Sequence, residues 1–295
     1  MSAEANPLTV VTKRSRRRKR VGILMEVLAT SAAVLAVIVL AIVVVSVAKK
    51  GLPAINVDFF TKTPVPFGQT GGGIKNAIIG TLIMTGMATL IAVPVGVLIA
   101  IFNTEFAPPQ VAETVRLSLN VLAGVPTIVI GIFIFGLLVV GNGQSAIAAS
   151  VGLSIVMVPL IARATEEVLL LVPSTLREAG MALGATRART VVTIILPTTV
   201  GGIVTATIVA VARAAGETAP LLFTSSIFAN TVVTDPHQAM ASIPLTIFVD
   251  SESPSLADQQ TAWAAALVLM AGVLIMGIIG RALSLRTRRQ IEKAR

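Results

Sequence analysis

One polar stretch separates two long apolar runs, Arg177-Glu178-Ala179-Gly180-Met181-Ala182-Leu183-Gly184, and it is completed by Ile194-Ile195-Leu196-Pro197. Its apolar positions recur at the spacing of one helix face: Leu176, Ala179, Gly180 and Leu183. A segment this short has no hydrophobic core of its own. The stretch therefore predicts a short surface helix whose apolar face binds another protein.

The rest of the chain is too apolar for a soluble protein. Of its 295 residues, 55% are hydrophobic and 13% are charged. The apolar blocks reach the ~20 residues that a helix needs to cross a bilayer. The sequence predicts an all-α polytopic membrane protein with six transmembrane helices, at about 22–47, 75–102, 117–140, 146–171, 195–216 and 262–282. It divides into a basic tail 1–21, a membrane domain 22–283 and a basic tail 284–295.

The net charge of +9 comes largely from two clusters, with seven cations in 13–20 and six in 281–295. Both clusters flank spans, where Lys and Arg keep that end in the cytoplasm. A nucleic-acid patch is the less favoured interpretation, whereas contact with anionic membrane lipid is compatible. We expect both termini, the connection 103–116 and the loop 172–194 to face the cytoplasm.

The loop 217–261 is expected outside, because it holds five acidic residues and no Lys or Arg. The cations on or beside the first outer loop argue mildly against this orientation: Lys49, Lys50, Lys62 and Lys75. Two apolar patches in the long loop, 220–229 and 243–249, predict a surface-lying element or segments that pack on helix ends.

Several chemistries are excluded. The chain has no cysteine and a single histidine, His237, so thiolate or histidine-rich metal sites are not expected. It contains no phosphate-binding Gly-x-x-x-x-Gly-Lys-Ser/Thr loop, no Gly-x-Ser-x-Gly elbow and no His-Glu-x-x-His helix. We therefore predict a chain that is not an enzyme.

The polar loop carries local helix signals. Pro173 ends the fourth span, and Thr175 with Glu178 fits a capping box that starts a short helix. Gly184 suits the left-handed residue that ends such a helix. The alternative is an ordinary amphipathic loop.

The chain then returns to the membrane. Thr186 can cap a second short helix, and Pro197 lies where we expect the chain to re-enter the bilayer. The loop is therefore predicted to form a helix-turn-helix at the cytoplasmic surface.

The spacing Glu-Ala-Gly, three residues, Gly, nine residues, Ile-x-Leu-Pro resembles the EAA loop of ABC importer permeases. Glu178, Ala179 and Gly184 match that motif, while Gly180 stands where alanine is often found. The resemblance implies that the loop around 175–197 docks as a coupling helix into a cleft of a separate ATPase. Small residues at these positions would let the helix sit deep in a groove.

Three further segments resemble the PstA-type permeases of bacterial phosphate importers, over roughly residues 70 to 285. They are Thr70-Gly71-Gly72-Gly73-Ile74 with Asn76-Ala77-Ile78 and Gly80-Thr81, Gly124 to Gly131, and Arg213-Ala214-Ala215-Gly216-Glu217-Thr218-Ala219-Pro220-Leu221. Thr127 replaces a serine common in that family. The resemblance implies a type I ABC importer permease fold and a place in the bacterial cytoplasmic membrane.

The same resemblance implies a set of partners. They are a homologous PstC-type permease, a dimer of PstB-type ATPases that binds ATP and Mg, and an extracytoplasmic PstS-type phosphate-binding protein. No cofactor is then expected on this chain. A permease for another solute, a secondary transporter and a channel remain alternatives.

Candidate pathway residues lie near the end of the fifth span. Arg213 and Glu217 are four residues apart, beside Thr218, where charge usually lines an aqueous cavity. A seam of small residues follows the same helix: Gly202, Ala206, Ala210 and Ala214. Arg213 could contact phosphate while Glu217 moderates its field. Alternatively, the two form a structural ion pair or gate latch.

The fourth span ends with Arg163, Glu166 and Glu167, which either anchor the helix at the interface or form an inner gate. We expect Gly124, Pro126 and Gly131 to bend or pack the third span. Gly71 to Gly73 is either a flexible loop or a site where backbone N–H groups meet an anion or a binding protein.

Overall fold

The computed structural model describes residues 13–66, 69, 71–226 and 230–293. The predictions made for residues 1–12, for Thr70, for 227–229 of the first apolar patch and for 294–295 lie outside these residues. The helices run α1 Lys13–Gly51, α2 Val57–Thr61, α3 Lys75–Ile101, α4 Pro109–Gly124, α5 Thr127–Ile134, α6 Ala146–Leu170, α7 Ser174–Ala182, α8 Arg187–Thr190, α9 Leu196–Ala215, α10 Ala219–Thr224, α11 Ile243–Ser251 and α12 Leu256–Lys293.

Helices dominate the described residues, and no strand is found among them, so the predicted all-α class is confirmed. Five helical segments of this part of the chain are long and apolar enough to cross a membrane, and a sixth is obtained if α4 and α5 form one bent span. Helices prevail because every backbone N–H and C=O must be satisfied internally within hydrocarbon.

Three helices end or begin in π-helical turns: Phe102–Phe106 after α3, Phe135–Val139 after α5 and Val191–Ile195 between α8 and α9. The last of these joins α8 and α9 into one apolar helix, Arg187–Ala215. Pro197 therefore lies inside a continuous helix, which begins before the boundary near 195 that was expected for the fifth span. The wider π turn accommodates the proline ring and its missing N–H.

The third span is broken in the middle. α4 and α5 meet at an angle of 92°. Val125 and Pro126, the residues between them, have extended backbones with ψ of 128° and 131°. The residue before a proline avoids the helical region, so the chain turns here instead of continuing straight. The segment 117–140, predicted as one span, is thus two helices.

α3, α6 and α9 form the centre of the bundle and are joined by small side chains. Buried alanines on all three helices form its core: Ala88 and Ala92 on α3, Ala146 and Ala149 on α6, and Ala210 and Ala214 on α9. A methyl group added at Gly96 would lie 2.9 Å from Ile161 Cγ2, and one at Gly202 would lie 2.5 Å from Val168 Cγ1. The backbones therefore approach closely, as is usual between membrane helices.

Residues 13–49 form a unit of their own, almost entirely the helix α1. Its apolar side chains are exposed along most of its length, from Val21 to Val45. At 39 residues, α1 is longer than the ~20 residues needed to cross a bilayer.

In the second unit, residues 50–293, the loops gather at two ends. One end holds α7 and the turn after α3, and we call it the coupling-loop end. The other holds α2, α10 and α11, and we call it the opposite end. Here the backbone N–H of Ile243 donates to Thr81 Oγ1 at 2.9 Å, and Ser145 N donates to the Thr224 carbonyl at 3.1 Å. Parts of both apolar patches are therefore short helices packed on the helix ends.

Candidate coupling and permeation site

The helix α7 begins two residues earlier than a cap at Thr175 requires. Pro173 occupies the N-cap position with an extended backbone, and no side chain caps this helix. Thr175 therefore lies inside the first turn, and Glu178 lies in the second. The predicted capping box is wrong, because proline supplies the extended residue that precedes the helix.

The turn after α7 has the predicted geometry. Gly184 has φ of +80°, a value that favours glycine. The N–H of Gly184 donates to the Met181 carbonyl at 2.9 Å, and that of Ala185 donates to the Gly180 carbonyl at 3.2 Å. Thr186 caps α8 by accepting from the Arg189 N–H at 3.3 Å. The predictions for Gly184 and Thr186 are confirmed.

α7 has an outward side and an inward side. Leu176, Glu178 and Ala179 are exposed, and Leu183 is 88% exposed. Gly180, in contrast, is buried against α8: a methyl group there would lie 2.8 Å from Thr190 Cγ2 and 3.0 Å from Ile194 Cδ1. Gly180 was predicted to share the outward face and instead forms the contact between the two short helices.

An ion pair that the sequence did not predict fixes the inward side of α7. Arg177 Nη2 lies 2.8 Å from Glu105 Oε1, and Arg177 Nε donates to both carboxylate oxygens at 3.0 and 3.2 Å. Glu105 is only 2% exposed. The two residues are 72 positions apart, so no local pattern could have indicated this contact.

A second buried carboxylate, Glu166, organises the neighbouring helices. Glu166 Oε1 accepts from Asn103 Nδ2 at 2.8 Å and from Arg116 Nε at 2.6 Å. It was grouped with Arg163 and Glu167 in the sequence, but its described partners come from α4 and the turn after α3. Arg163 Nε is buried without a hydrogen-bond partner among the described residues, and Glu167 is exposed.

The candidate pathway pair lies at the end of α9. The helix stops at Ala215, and Arg213 Nε is 3.7 Å from Glu217 Oε1. The Arg213 side chain is 62% exposed, and that of Glu217 is 15% exposed. Because the guanidinium is largely exposed and the two atoms are 3.7 Å apart, the pair holds its cation weakly. The guanidinium of Arg213 is thus open to a further ligand. Thr218 precedes α10 without capping it.

Arg163 and Arg213 occupy different depths of the bundle. Gly202 on α9 faces Val168 on α6. At a rise of 1.5 Å per residue, Arg213 lies roughly 17 Å beyond that contact and Arg163 roughly 8 Å beyond it. The two cations are therefore separated by roughly 9 Å along the bundle axis, with Arg213 nearer the opposite end.

A cavity of about 510 Å³ opens at the opposite end, between the glycine segment 71–73, α11 and the start of α12. Asp250, Glu252 and Asp258 line it. Burial, with the charge of Asp258, raises the pKa of Asp250 to about 6. Carboxylates repel anions, so the cavity does not favour the interpretation of Gly71 to Gly73 as an anion site.

Known protein sequences are similar to this chain over most of its length. The family described as "Binding-protein-dependent transport system inner membrane component" matches residues 92–289. A "Probable phosphate transport system permease protein PstA" of Methanocaldococcus jannaschii is 38% identical over 240 residues, which cover 80% of this chain and 84% of that protein. The PstA of Yersinia pestis is also 38% identical over 240 residues, covering 80% of each chain.

Two solved structures have a similar fold. A bacterial ABC transporter involved in the import of the acidic polysaccharide alginate matches 93% of this chain and 99% of its own, with a TM-score of 0.59 and 16% identity. An inward-facing MetNI methionine ABC transporter matches 72% of this chain and 95% of its own, with a TM-score of 0.58 and 20% identity. At these identities the likeness concerns the fold.

Proposed function

The chain belongs to the family of binding-protein-dependent transport system inner membrane components and, within it, to the PstA-type phosphate permeases, and we propose that it forms half of the translocation pathway of an ATP-driven phosphate importer. The observation that carries this proposal is the 38% identity to PstA over four-fifths of the chain. The exposed side of α7 and the exposed guanidinium of Arg213 support it independently.

The proposed ATPase contact is the outward side of α7. This side exposes three apolar residues, Leu176, Ala179 and Leu183, and one carboxylate, that of Glu178. Large apolar side chains exposed on one side of a helix are typical of a surface that another protein covers. Gly180 and Gly184 act on the shape of this surface, since Gly180 brings α8 close and Gly184 sets the turn.

The proposed assembly contains a PstC-type permease, a dimer of PstB-type ATPases and an extracytoplasmic PstS-type binding protein. ATP and Mg bind to the ATPases, and this chain is a non-catalytic subunit. In the proposed cycle, the loaded binding protein docks outside and ATPase closure displaces α7, so that the spans alternate between two accessible states. Phosphate passes between the two permease chains.

The proposed pathway uses the charged residues of α6 and α9. We assign Arg213 to phosphate contact, because a guanidinium offers paired donors to phosphate oxygens and this one is held only weakly by Glu217. Thr218 adds a hydroxyl beside them. Arg163, with a buried Nε that lacks a described partner, and Glu167 are assigned to the half nearer the coupling-loop end. Pro126, Gly124, Gly131, Pro197 and Gly202 shape the helices.

The proposed location is the bacterial cytoplasmic membrane, with both termini inside. The two basic clusters and the acidic loop 217–261 support this orientation. The coupling-loop end then faces the cytoplasm, and the opposite end faces the binding protein.

The test is uptake of labelled phosphate into proteoliposomes that hold all four components. We expect uptake that requires ATP and the binding protein. Arg213→Gln is expected to lower uptake about a hundredfold with normal assembly, as befits loss of a charge-assisted contact. Lys62→Gln is the matched control, since Lys62 forms an exposed i,i+4 pair with Asp58 at the same end. ATP-independent uptake would refute the function, and full uptake by Arg213→Gln would refute the assigned contact.

A further inference from the structure

The guanidinium of Arg177 joins three segments of the coupling-loop end. It lies on α7 and forms the bidentate pair with Glu105, in the π-helical turn that ends α3. Its Nη1 donates to the Val172 carbonyl at 2.6 Å, and its Nη2 donates to the Leu169 carbonyl at 2.9 Å. Leu169 lies in the last turn of α6, and Val172 lies two residues beyond the end of that helix. One side chain thus connects α7 to α3 and α6 together.

These contacts use most of what an arginine can donate. A guanidinium has five N–H groups in a fixed plane, and here Nε, Nη1 and Nη2 all donate. A lysine ammonium has neither the plane nor the reach to both partners at once. Because Glu105 is almost fully buried, its carboxylate has little access to solvent as a replacement partner.

α3 and α6 are also held closely to each other. They pack closely at Gly96, where a methyl group would lie 2.9 Å from Ile161 Cγ2. Glu166 of α6 accepts from Asn103, in the same turn that holds Glu105. A displacement of Arg177 therefore acts on a pair of helices that is already bound together, whereas Leu183 and Leu176 on the other side of α7 are exposed.

We propose that Arg177 is the positioning residue through which movement of α7 is passed to α3 and α6. This inference rests on the proposed function, because it assumes that an ATPase moves α7. In the proposed division, the outward side of α7 receives the partner and the Arg177–Glu105 pair transmits the displacement. Without the pair, α7 still docks, but its movement no longer reaches the two spans.

The experiment compares phosphate transported with ATP hydrolysed in the complete proteoliposome system. Arg177→Gln is expected to leave ATP hydrolysis within about twofold and to lower the phosphate-to-ATP ratio about tenfold, a size typical of coupling between two sites. Arg177→Lys should recover only part of the ratio. A purely structural role would lower uptake and hydrolysis together and leave the ratio unchanged, which would overturn the proposal.

A second variant separates transmission from misfolding. Arg177→Gln leaves the buried Glu105 charge unpaired, so the complex could assemble poorly. The double variant Glu105→Gln with Arg177→Met removes both charges and is expected to assemble normally while keeping the low phosphate-to-ATP ratio. A wild-type ratio in this double variant would overturn the proposal.

The matched control is Arg116→Gln. Arg116 also pairs with a buried glutamate, Glu166, but it connects α4 to α6 and does not touch α7. Its phosphate-to-ATP ratio should stay within about twofold of wild type, and an equal loss there would overturn the specific role of Arg177. Failure of the proposed function itself would look different, because the wild-type complex would then show no ATP-driven uptake at all.

Discussion

At the scale of single residues, the contact between Gly180 and Thr190 explains why this chain has glycine at position 180. The resembling permeases often have alanine here, whereas this chain places Thr190 against the position. Thr190 is buried, and its Oγ1 has no hydrogen-bond partner among the described residues. A β-branched side chain has few alternative rotamers, so it cannot easily make room for an added methyl group. Glycine at 180 and threonine at 190 therefore suit each other.

We expect Gly180→Ala to destabilise the chain by about 1–3 kcal/mol, the usual cost of overpacking. Thr190→Ala in the same chain should recover most of the loss, because it removes both Thr190 atoms that lie within 3.0 Å of the added methyl. Thermal unfolding of the purified chain measures both. Gly86→Ala is the control, since nothing lies within 4 Å of a methyl group there. Additive losses in the double variant would contradict this pairing.

The ionisation of Asp250 has a predictable effect on the stability of the folded chain, because its pKa is raised. Its pKa of about 6 lies above the ordinary 3.8, so ionisation of the carboxyl costs the folded state. This cost is absent below about pH 4, grows as the pH rises and is complete above the raised pKa. The folded chain is therefore penalised at neutral and alkaline pH.

Asp250→Asn should consequently raise the Tm at pH 8 by about 1–3 °C and change it little at pH 4. Asp235→Asn is a control of opposite sign. A hydrogen bond from the His237 N–H lowers the pKa of Asp235, so removing that charge should lower the Tm slightly at pH 8. Equal shifts of Asp250→Asn at pH 4 and pH 8 would contradict the assignment.

At the scale of elements, the long spans were predictable and their interruptions were not. Apolar length alone predicts α3, α6 and α12, because hydrocarbon admits little except helix. Pro126 is visible in the sequence, but a proline can kink a helix or end it, and the 92° turn depends on what packs around it. The polar residues of α8 likewise concealed that this helix continues into α9.

In the candidate site, too, the local features were predictable from the sequence and the long-range contact was not. The turn at Gly184 and the cap at Thr186 follow from local backbone preferences, so the sequence predicted both. The contact between Arg177 and Glu105 depends on how α3 and α6 come together. A pattern within one segment carries no information about a partner 72 residues away.

At the scale of the whole molecule, the proposed orientation can be tested directly, because the chain has no cysteine. In the chain reconstituted without the ATPase, which is proposed to cover Leu183, Leu183→Cys should react with a membrane-impermeant maleimide only from the cytoplasmic side, and Asn142→Cys only from outside. Both positions are exposed and lie at different ends of the second unit. The cysteine-free parent is the control for nonspecific labelling. Reaction of both cysteines from one side would contradict the six-span arrangement.

The contact between Arg177 and Glu105 depends on the π-helical turn Phe102–Phe106, which contains one residue more than an α-helical turn. It is closed by the Ala107 N–H donating to the Phe102 carbonyl at 2.8 Å, one residue wider than an α-helical turn. Deleting Thr104 from it would leave a turn of α-helical width and would change the direction in which Glu105 leaves the helix. Glu105 would then lose its place opposite Arg177, although both side chains were kept. The number of residues in this turn, and not only their types, therefore sets the contact between α7 and the end of α3.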